Sequence, residues 1–362
     1  MTANPEPAAR QSYASIELYA PDRRPCAIDV SDNTNLWGAP PSAACVFAQA
    51  ASASVTRYPE LYAGSLKSEI AEYAGVTIDQ VVTGCGSDDV IDSTLRAFAE
   101  PGDVIAMPDP SFSAIPIFAR MNALAPILVP LTRSYDVDVE RMLDARAKIT
   151  YLCSPNNPTG AALSRAAIET IVDRASGLVM VDEAYAEFAG ASTADLVSAS
   201  ERVLITRTMS KAFGLAGLRI GYAIGAPALV REVEKSRGPY KVNAIAERVA
   251  LSVLRNDMAW VREHVEIVID NRTRFIGALR ELGLDPLPSQ ANFVLVPVPD
   301  AARVAGEMRA RGIAVRPFER LSAAEGTALA SSGGDALRIT IGPWEVMSRV
   351  LGVVREVVAC RV

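Results

Sequence analysis

Lys211 stands in "TMSKAFGLAGLR" (208–219), among small and apolar residues, with Arg219 closing the run. An amine with few polar neighbours is held toward its neutral form, and a neutral amine attacks carbonyls. The plainer reading is a lysine that snorkels from a half-buried loop. Thr208 and Ser210 offer hydroxyls beside it, and Arg219 a charge-assisted fork for a phosphate. Three other stretches decide between these readings. In "TGCGSDD" (83–89) a glycine-containing turn passes into a helix, with Ser87 as a natural N-cap; the backbone N–H groups of Ser87 and Asp88 form an anion site, or simply a capped helix. In "CSPNNPTG" (153–160) a rigid turn after a strand aims Asn157 into the crevice, or is simply an ordinary Asn-Pro turn. In "VMVDEAYAEF" (179–188) Asp182 ends a hydrophobic strand, where a carboxylate is costly to bury without a cationic partner, and Tyr185 follows.

Together these residues supply an amine, an acid, an amide, a phenol and phosphate donors. A pyridine aldehyde phosphate requires that set: the lysine condenses with the aldehyde, the acid keeps the ring nitrogen protonated, and the amide and phenol hold the ring oxygen.

The elements that must position them read as α/β. Between about 80 and 225, strand-like runs ("VVTGCG", "DVIAMPDP", "PILVPL", "KITYLCSP", "GLVMVDEAY", "RVLITRT", "RIGYAIG") alternate with amphipathic stretches, which predicts a mostly parallel sheet covered on both faces, a three-layer α/β/α domain. Ligands of such sheets bind beyond the strand C-termini, where the residues above fall. The pattern from 240 to 282 is long and helical, and "ANFVLVPV", "GIAVRPF" and "ALRITIG" predict strands of a smaller α+β domain. The reading is an arm over 1–40, a large domain over 41–255 and a small domain over 256–362, with a mobile loop at 322–336.

Composition narrows the chemistry. Lys and Arg number 36 against 42 Asp and Glu, so the net charge of −6 argues against nucleic acid or an anionic membrane as partner. No apolar window reaches spanning length, no secretory h-region opens the chain, and five scattered cysteines (Cys26, Cys45, Cys85, Cys153, Cys360) read as reduced thiols, so a cytoplasmic location is expected. The one histidine, His264, lies in a helical run with charged neighbours and reads as a solvated position; a histidine-rich zinc site is impossible.

These motifs, with "SDNTNLWG", "TRYPE", "SQANFVLVP", "GIAVRP" and "LRITIG", resemble the fold-type I pyridoxal-phosphate aminotransferases, in particular the histidinol-phosphate and aromatic aminotransferase group, over about residues 29–350. The resemblance implies pyridoxal 5′-phosphate as cofactor, Lys211 as its anchor and proton shuttle, Asp182 as partner of the ring nitrogen, and Asn157 and Tyr185 as ligands of the ring oxygen. Ser87, Asp88, Thr208, Ser210 and Arg219 would hold the phosphate, and Phe112 would stack on the ring where the family often has tyrosine. Tyr58 would reach the cofactor of a neighbouring subunit in a homodimer with shared sites. Asn35, Trp37, Arg316 and Arg338 would face the substrate, Arg338 clamping its acid group. The implied reaction moves an amino group between an amino acid, histidinol phosphate-like or aromatic, and a 2-oxo acid. Departures at Trp37, Phe112 and "SDNTN", and a long 319–336 loop, leave the substrate open, and since the same cofactor serves other bonds at Cα, decarboxylation, elimination or cyclisation at an amino acid in a specialised pathway is the alternative.

Overall fold

Strands form where the sequence runs hydrophobic between turn residues. The computed structural model describes residues 8–18, 20, 22, 24–49 and 56–358; Cys360 lies outside them. The strands are β1 (Ile28–Asp29), β2 (Val81–Cys85), β3 (Val104–Asp109), β4 (Ala125–Pro130), β5 (Ile149–Cys153), β6 (Leu178–Asp182), β7 (Val203–Thr208), β8 (Ile220–Gly225), β9 (Phe293–Pro297), β10 (Ile313–Ala314), β11 (Arg316–Phe318) and β12 (Ala336–Thr340). Seven make one sheet in the order β2-β8-β7-β6-β5-β3-β4, with β8 antiparallel to both neighbours and the other pairings parallel.

Alternation along each strand sorts side chains to two cores. Tyr151, Cys153 and Met180 pack with Val90, Ile91 and Leu95 of the helix Ser87–Phe98 and with Ile115, Val230 and Val233 of two further helices. Leu152, Val179, Val181 and Ile205 face the opposite core with Leu66, Ile168 and Val249. This is the α/β/α layering expected. Because β8 runs antiparallel, its first residue lies at the edge where β2, β3, β5, β6 and β7 end, so Cys85, Asp109, Cys153, Asp182, Thr208 and Ile220 share one rim.

The smaller sheet, β11-β12-β9, is antiparallel. The N-terminal stretch read as an arm is stitched to this part of the chain: β1 pairs in parallel with β10, and Val30 N–H bonds to Ala314 O. The long helical pattern breaks into Ala244–Asn256 and Met258–Glu281, because Asp257 is non-helical and its carboxylate accepts from the Ser42 N–H and hydroxyl.

The 322–336 segment, expected as a loop, holds a short helix, Ala328–Ser331, capped by Thr327 Oγ1, which accepts from Ala330 N–H. Leu329 is fully buried against Leu287 and Leu295, anchoring it; burial of one such side chain contributes roughly 1.5–3 kcal/mol.

Candidate active site

A cavity of about 400 Å³ opens at the shared rim, within the usual range for small-molecule sites. Lys211, Asp182, Asn157, Tyr185, Phe112, Ser87, Asp88, Thr208, Ser210, Arg219, Arg316 and Arg338 all line it.

At one end lies the N-terminus of helix Ser87–Phe98. The N-cap is Gly86, with φ +83°, not Ser87, which is the first helical residue. A Cβ on Gly86 would stand 2.5 Å from an Arg219 nitrogen, and one on Gly221 would stand 2.1 Å from Ser87 N. These two glycines let β8 and the helix start close together, leaving backbone donors and a positive dipole end facing the cavity. Arg219 adopts φ +56°, a conformation that costs about 1–2 kcal/mol in a residue with a Cβ. Its guanidinium is thereby turned to Asp88 Oδ2, at 3.3 Å. Thr208 Oγ1 donates to Ser210 Oγ at 2.9 Å and accepts from Ser210 N–H. Hydroxyls, helix N–H groups and a guanidinium thus surround one anion-sized corner.

Next to it, Asp182 is 3 % exposed. Burial pushes its carboxyl up to about 6, while the Tyr151 hydroxyl and the Ala184 N–H, donating at 2.8 and 3.1 Å, oppose that rise. A buried acid held on two donors accepts a cationic ring nitrogen without reorganising.

Lys211 is half-buried; its Nζ donates to Asp32 O at 3.3 Å and sits 5.8 Å from the centre of the Tyr185 ring. Burial, then the positive charges of Arg338 and Arg219, push the amine down to about 8, against the pull of Asp88 and Asp182. It is therefore partly neutral near physiological pH, as a nucleophile toward an aldehyde must be.

The Tyr185 hydroxyl oxygen accepts from Asn33 Nδ2 at 3.1 Å, and burial raises the phenol, keeping it a neutral donor. Asn157 Oδ1 accepts from Arg338 at 2.5 Å, which leaves the amide N–H groups of Asn157 as its donors. Asn156 braces the turn instead, bonding Pro110 O, Thr159 and Ser111. Arg338 also donates to Ser31 O at 2.8 Å, and its guanidinium lies 5.4 and 5.5 Å from the Phe293 and Phe318 rings.

Three expected site residues lie elsewhere. Asn35 donates to Ala212 O and accepts from Trp37 N–H, which turns the Trp37 ring away from the main cavity to a small space behind Lys211. There Trp37 and Trp260 enclose His264, at ring distances of 5.7 and 4.0 Å, so the histidine read as solvated is half-buried. Tyr58 is 83 % exposed and stacks on Tyr240 at 4.9 Å, outside the cavity. Residues missed from sequence are Tyr151, Asn33, Asp32 and Phe318. Tyr151 carried a signal, since a hydroxyl inside the apolar run "ITYLC" requires a buried partner.

An anion-sized corner, a buried acid, an amide, a phenol and a depressed amine line one cavity, a set with the chemistry to hold a pyridine aldehyde phosphate. The chain belongs to the aminotransferase class I and II family, whose model matches residues 27–353. It is an aminotransferase, and its cofactor is pyridoxal 5′-phosphate. It is 36 % identical over 310 residues to the histidinol-phosphate aminotransferase of Thermoanaerobacter sp. (strain X514), covering 84 % of this chain and 85 % of that one. To the aromatic amino acid aminotransferase of Nocardia farcinica it is 34 % identical over 349 residues, covering 92 % of each. Its fold matches that of histidinol-phosphate aminotransferase from Sinorhizobium meliloti, solved with pyridoxal-5′-phosphate, at a TM-score of 0.80 and 24 % identity over 94 % of this chain and 93 % of that one.

Proposed function

We propose that this aminotransferase passes an amino group from histidinol phosphate to a 2-oxo acid with a second carboxylate, 2-oxoglutarate being the simplest. The observation that carries this reading is the register of β11 and β12. Arg316 lies directly opposite Arg338, and residues opposed in an antiparallel pair share one face. Two guanidiniums on one wall suit a phosphate dianion or a dicarboxylate, and both substrates of a two-stage exchange must use the same wall. Phe318 and Phe112 offer flat apolar surface to a ring.

When bound, the cofactor supplies the electron sink that makes loss of the substrate's Cα proton feasible. In the role we assign it, Lys211 Nζ takes that proton and returns it, its depressed basicity matching the task. Asp182 keeps the ring nitrogen positive, Asn157 and Tyr185 orient the ring through its oxygen, and the corner made by Ser87, Asp88, Thr208, Ser210 and Arg219 fixes the phosphate. Arg338 and Arg316 would hold the substrate's anionic groups on one wall of the cavity that Lys211 also lines.

A second reading, an aromatic amino acid as donor, is favoured by the Phe293 and Phe318 rings flanking Arg338. Single half-reactions of the loaded enzyme with L-histidinol phosphate, L-phenylalanine and L-glutamate separate the two. Our reading requires fast conversion with the first and third; conversion with phenylalanine alone overturns it, and loss of CO₂ or of a leaving group without a keto product supports the alternative chemistry.

The proposed assembly is a homodimer. Phe47, Leu61 and Tyr240 are exposed apolar side chains, Tyr240 stacks on Tyr58, and the exposed Tyr58, outside its own cavity, would reach a partner's phosphate. Light scattering tests this: a monomer at working concentration excludes it.

A further inference from the structure

Asp182 accepts a hydrogen bond from a residue that does not line the cavity. Tyr151 is fully buried in the middle of β5, and its hydroxyl donates to Asp182 Oδ2 at 2.8 Å. The parallel register places Cys153 beside Asp182 and Tyr151 beside Met180, so Tyr151 and Asp182 share the face that packs on helix Ser87–Phe98. Phenylalanine would fill the same space. What the hydroxyl adds is one proton donor aimed at one carboxylate oxygen, in surroundings of low dielectric where such a bond is strong. The Ala184 N–H, donating to Oδ1 at 3.1 Å, and the Thr206 hydroxyl favour the charged form as well. Cys153 is a thiol on the same strand, Thr206 stands opposite on β7, and Asp88, Tyr185 and Lys211 act on it through the cavity. Arg207, next along β7, is engaged by Glu183 on the other side of the sheet.

We propose that Tyr151 is a positioning residue that keeps Asp182 anionic and in one orientation toward the cofactor's ring nitrogen. The proposal rests on the role assigned to Asp182, not on the choice of substrate. Without the hydroxyl, the carboxylate loses a donor that favours its charged form, and protonation competes with the ring nitrogen at higher pH.

The test measures affinity, not turnover. The probe is pyridoxamine 5′-phosphate, which keeps the ring nitrogen and phosphate but cannot condense with Lys211. Its dissociation constant is titrated from pH 5 to 9 on the wild-type apo-protein, Tyr151→Phe, Asp182→Asn and the double variant. Tyr151→Phe should move the pH midpoint of affinity up by about one unit, about tenfold weaker binding at acid pH and little change at pH 9. In the Asp182→Asn background the Tyr151→Phe effect should vanish, and an analogue with carbon in place of the ring nitrogen should not respond. Should Tyr151→Phe fail to fold, fluorination of Tyr151 ortho to its hydroxyl, which strengthens the donor, should move the midpoint down. A pH-independent loss of affinity, or an equal loss in the Asp182→Asn background, overturns the proposal. If Asp182→Asn itself leaves affinity for both probes unchanged, the role of Asp182 fails, and this inference with it.

Discussion

Asn157 Oδ1 accepts a 2.5 Å hydrogen bond from the guanidinium of Arg338. The bond joins the guanidinium we propose as the substrate clamp to the amide we propose as a holder of the cofactor's ring, and it fixes which end of that amide points inward. Arg338→Ala should therefore injure both partners. Loss of a charge-assisted contact of about 1.5–3 kcal/mol predicts kcat/KM lower by about 10- to 150-fold, together with a shifted absorption of the bound cofactor. Asn157→Ala should shift the absorption with a smaller effect on KM. Steady-state kinetics and spectra of both variants check this.

Lys211 gives a pH dependence of known sign. Its folded-state amine titrates near 8, below the ordinary 10.5, so between those values the unfolded chain binds more protons. Stability of the apo-protein should accordingly rise with pH through that window, and Lys211→Ala should remove the rise. Capture of pyridoxal 5′-phosphate should accelerate as pH passes about 8. Thermal melts and stopped-flow absorbance from pH 7 to 10.5 measure both; a capture rate that keeps climbing to 10.5 contradicts the assignment.

Gly221→Ala tests the cradle. Its Cβ would sit 2.1 Å from Ser87 N and 2.2 Å from Gly86 C, so the helix start must shift. Overpacking of this kind costs about 1–3 kcal/mol, and the displaced N–H groups should weaken binding of inorganic phosphate and cofactor alike. Denaturant unfolding and phosphate titration check the two effects.

Behind the site, Arg207 and Glu183 form a buried pair at 2.8 Å, with side chains 9 % and 2 % exposed. It ties β7 to the residue that follows β6, one residue away from Thr208 and Asp182. Breaking it by Arg207→Ala should cost about 3–5 kcal/mol, since a charge stays buried alone. Replacing both members by apolar residues of similar size should cost far less. Urea unfolding of single and double variants decides.

Much of the architecture was legible because the strands are unmixed. Runs such as "GLVMVDEAY" and "RVLITRT" are buried on both faces, and each ends on the polar residue that lines the cavity. Trp37 illustrates what stayed illegible. Its motif placed it on the substrate side, but the amide of Asn35, bonding to Ala212 O, turned it toward His264, a contact between residues 227 apart in sequence. Ser87 failed as a cap for a local reason: Gly86 takes the left-handed turn that the close approach of Arg219 demands. Tyr151 was hidden by its own strand, where an aromatic side chain reads as core until its hydroxyl is given a partner. Arg316 and Arg338 became a pair only through register, which sequence separation does not reveal.

We assign the covalent attachment of the cofactor to Lys211. Borohydride treatment of the enzyme loaded with pyridoxal 5′-phosphate, followed by peptide mass spectrometry, fixes the ring to whichever amine holds it. The prediction is one adduct, on Lys211, absent after Lys211→Ala. An adduct on another lysine, or none in a protein that binds the cofactor, contradicts it.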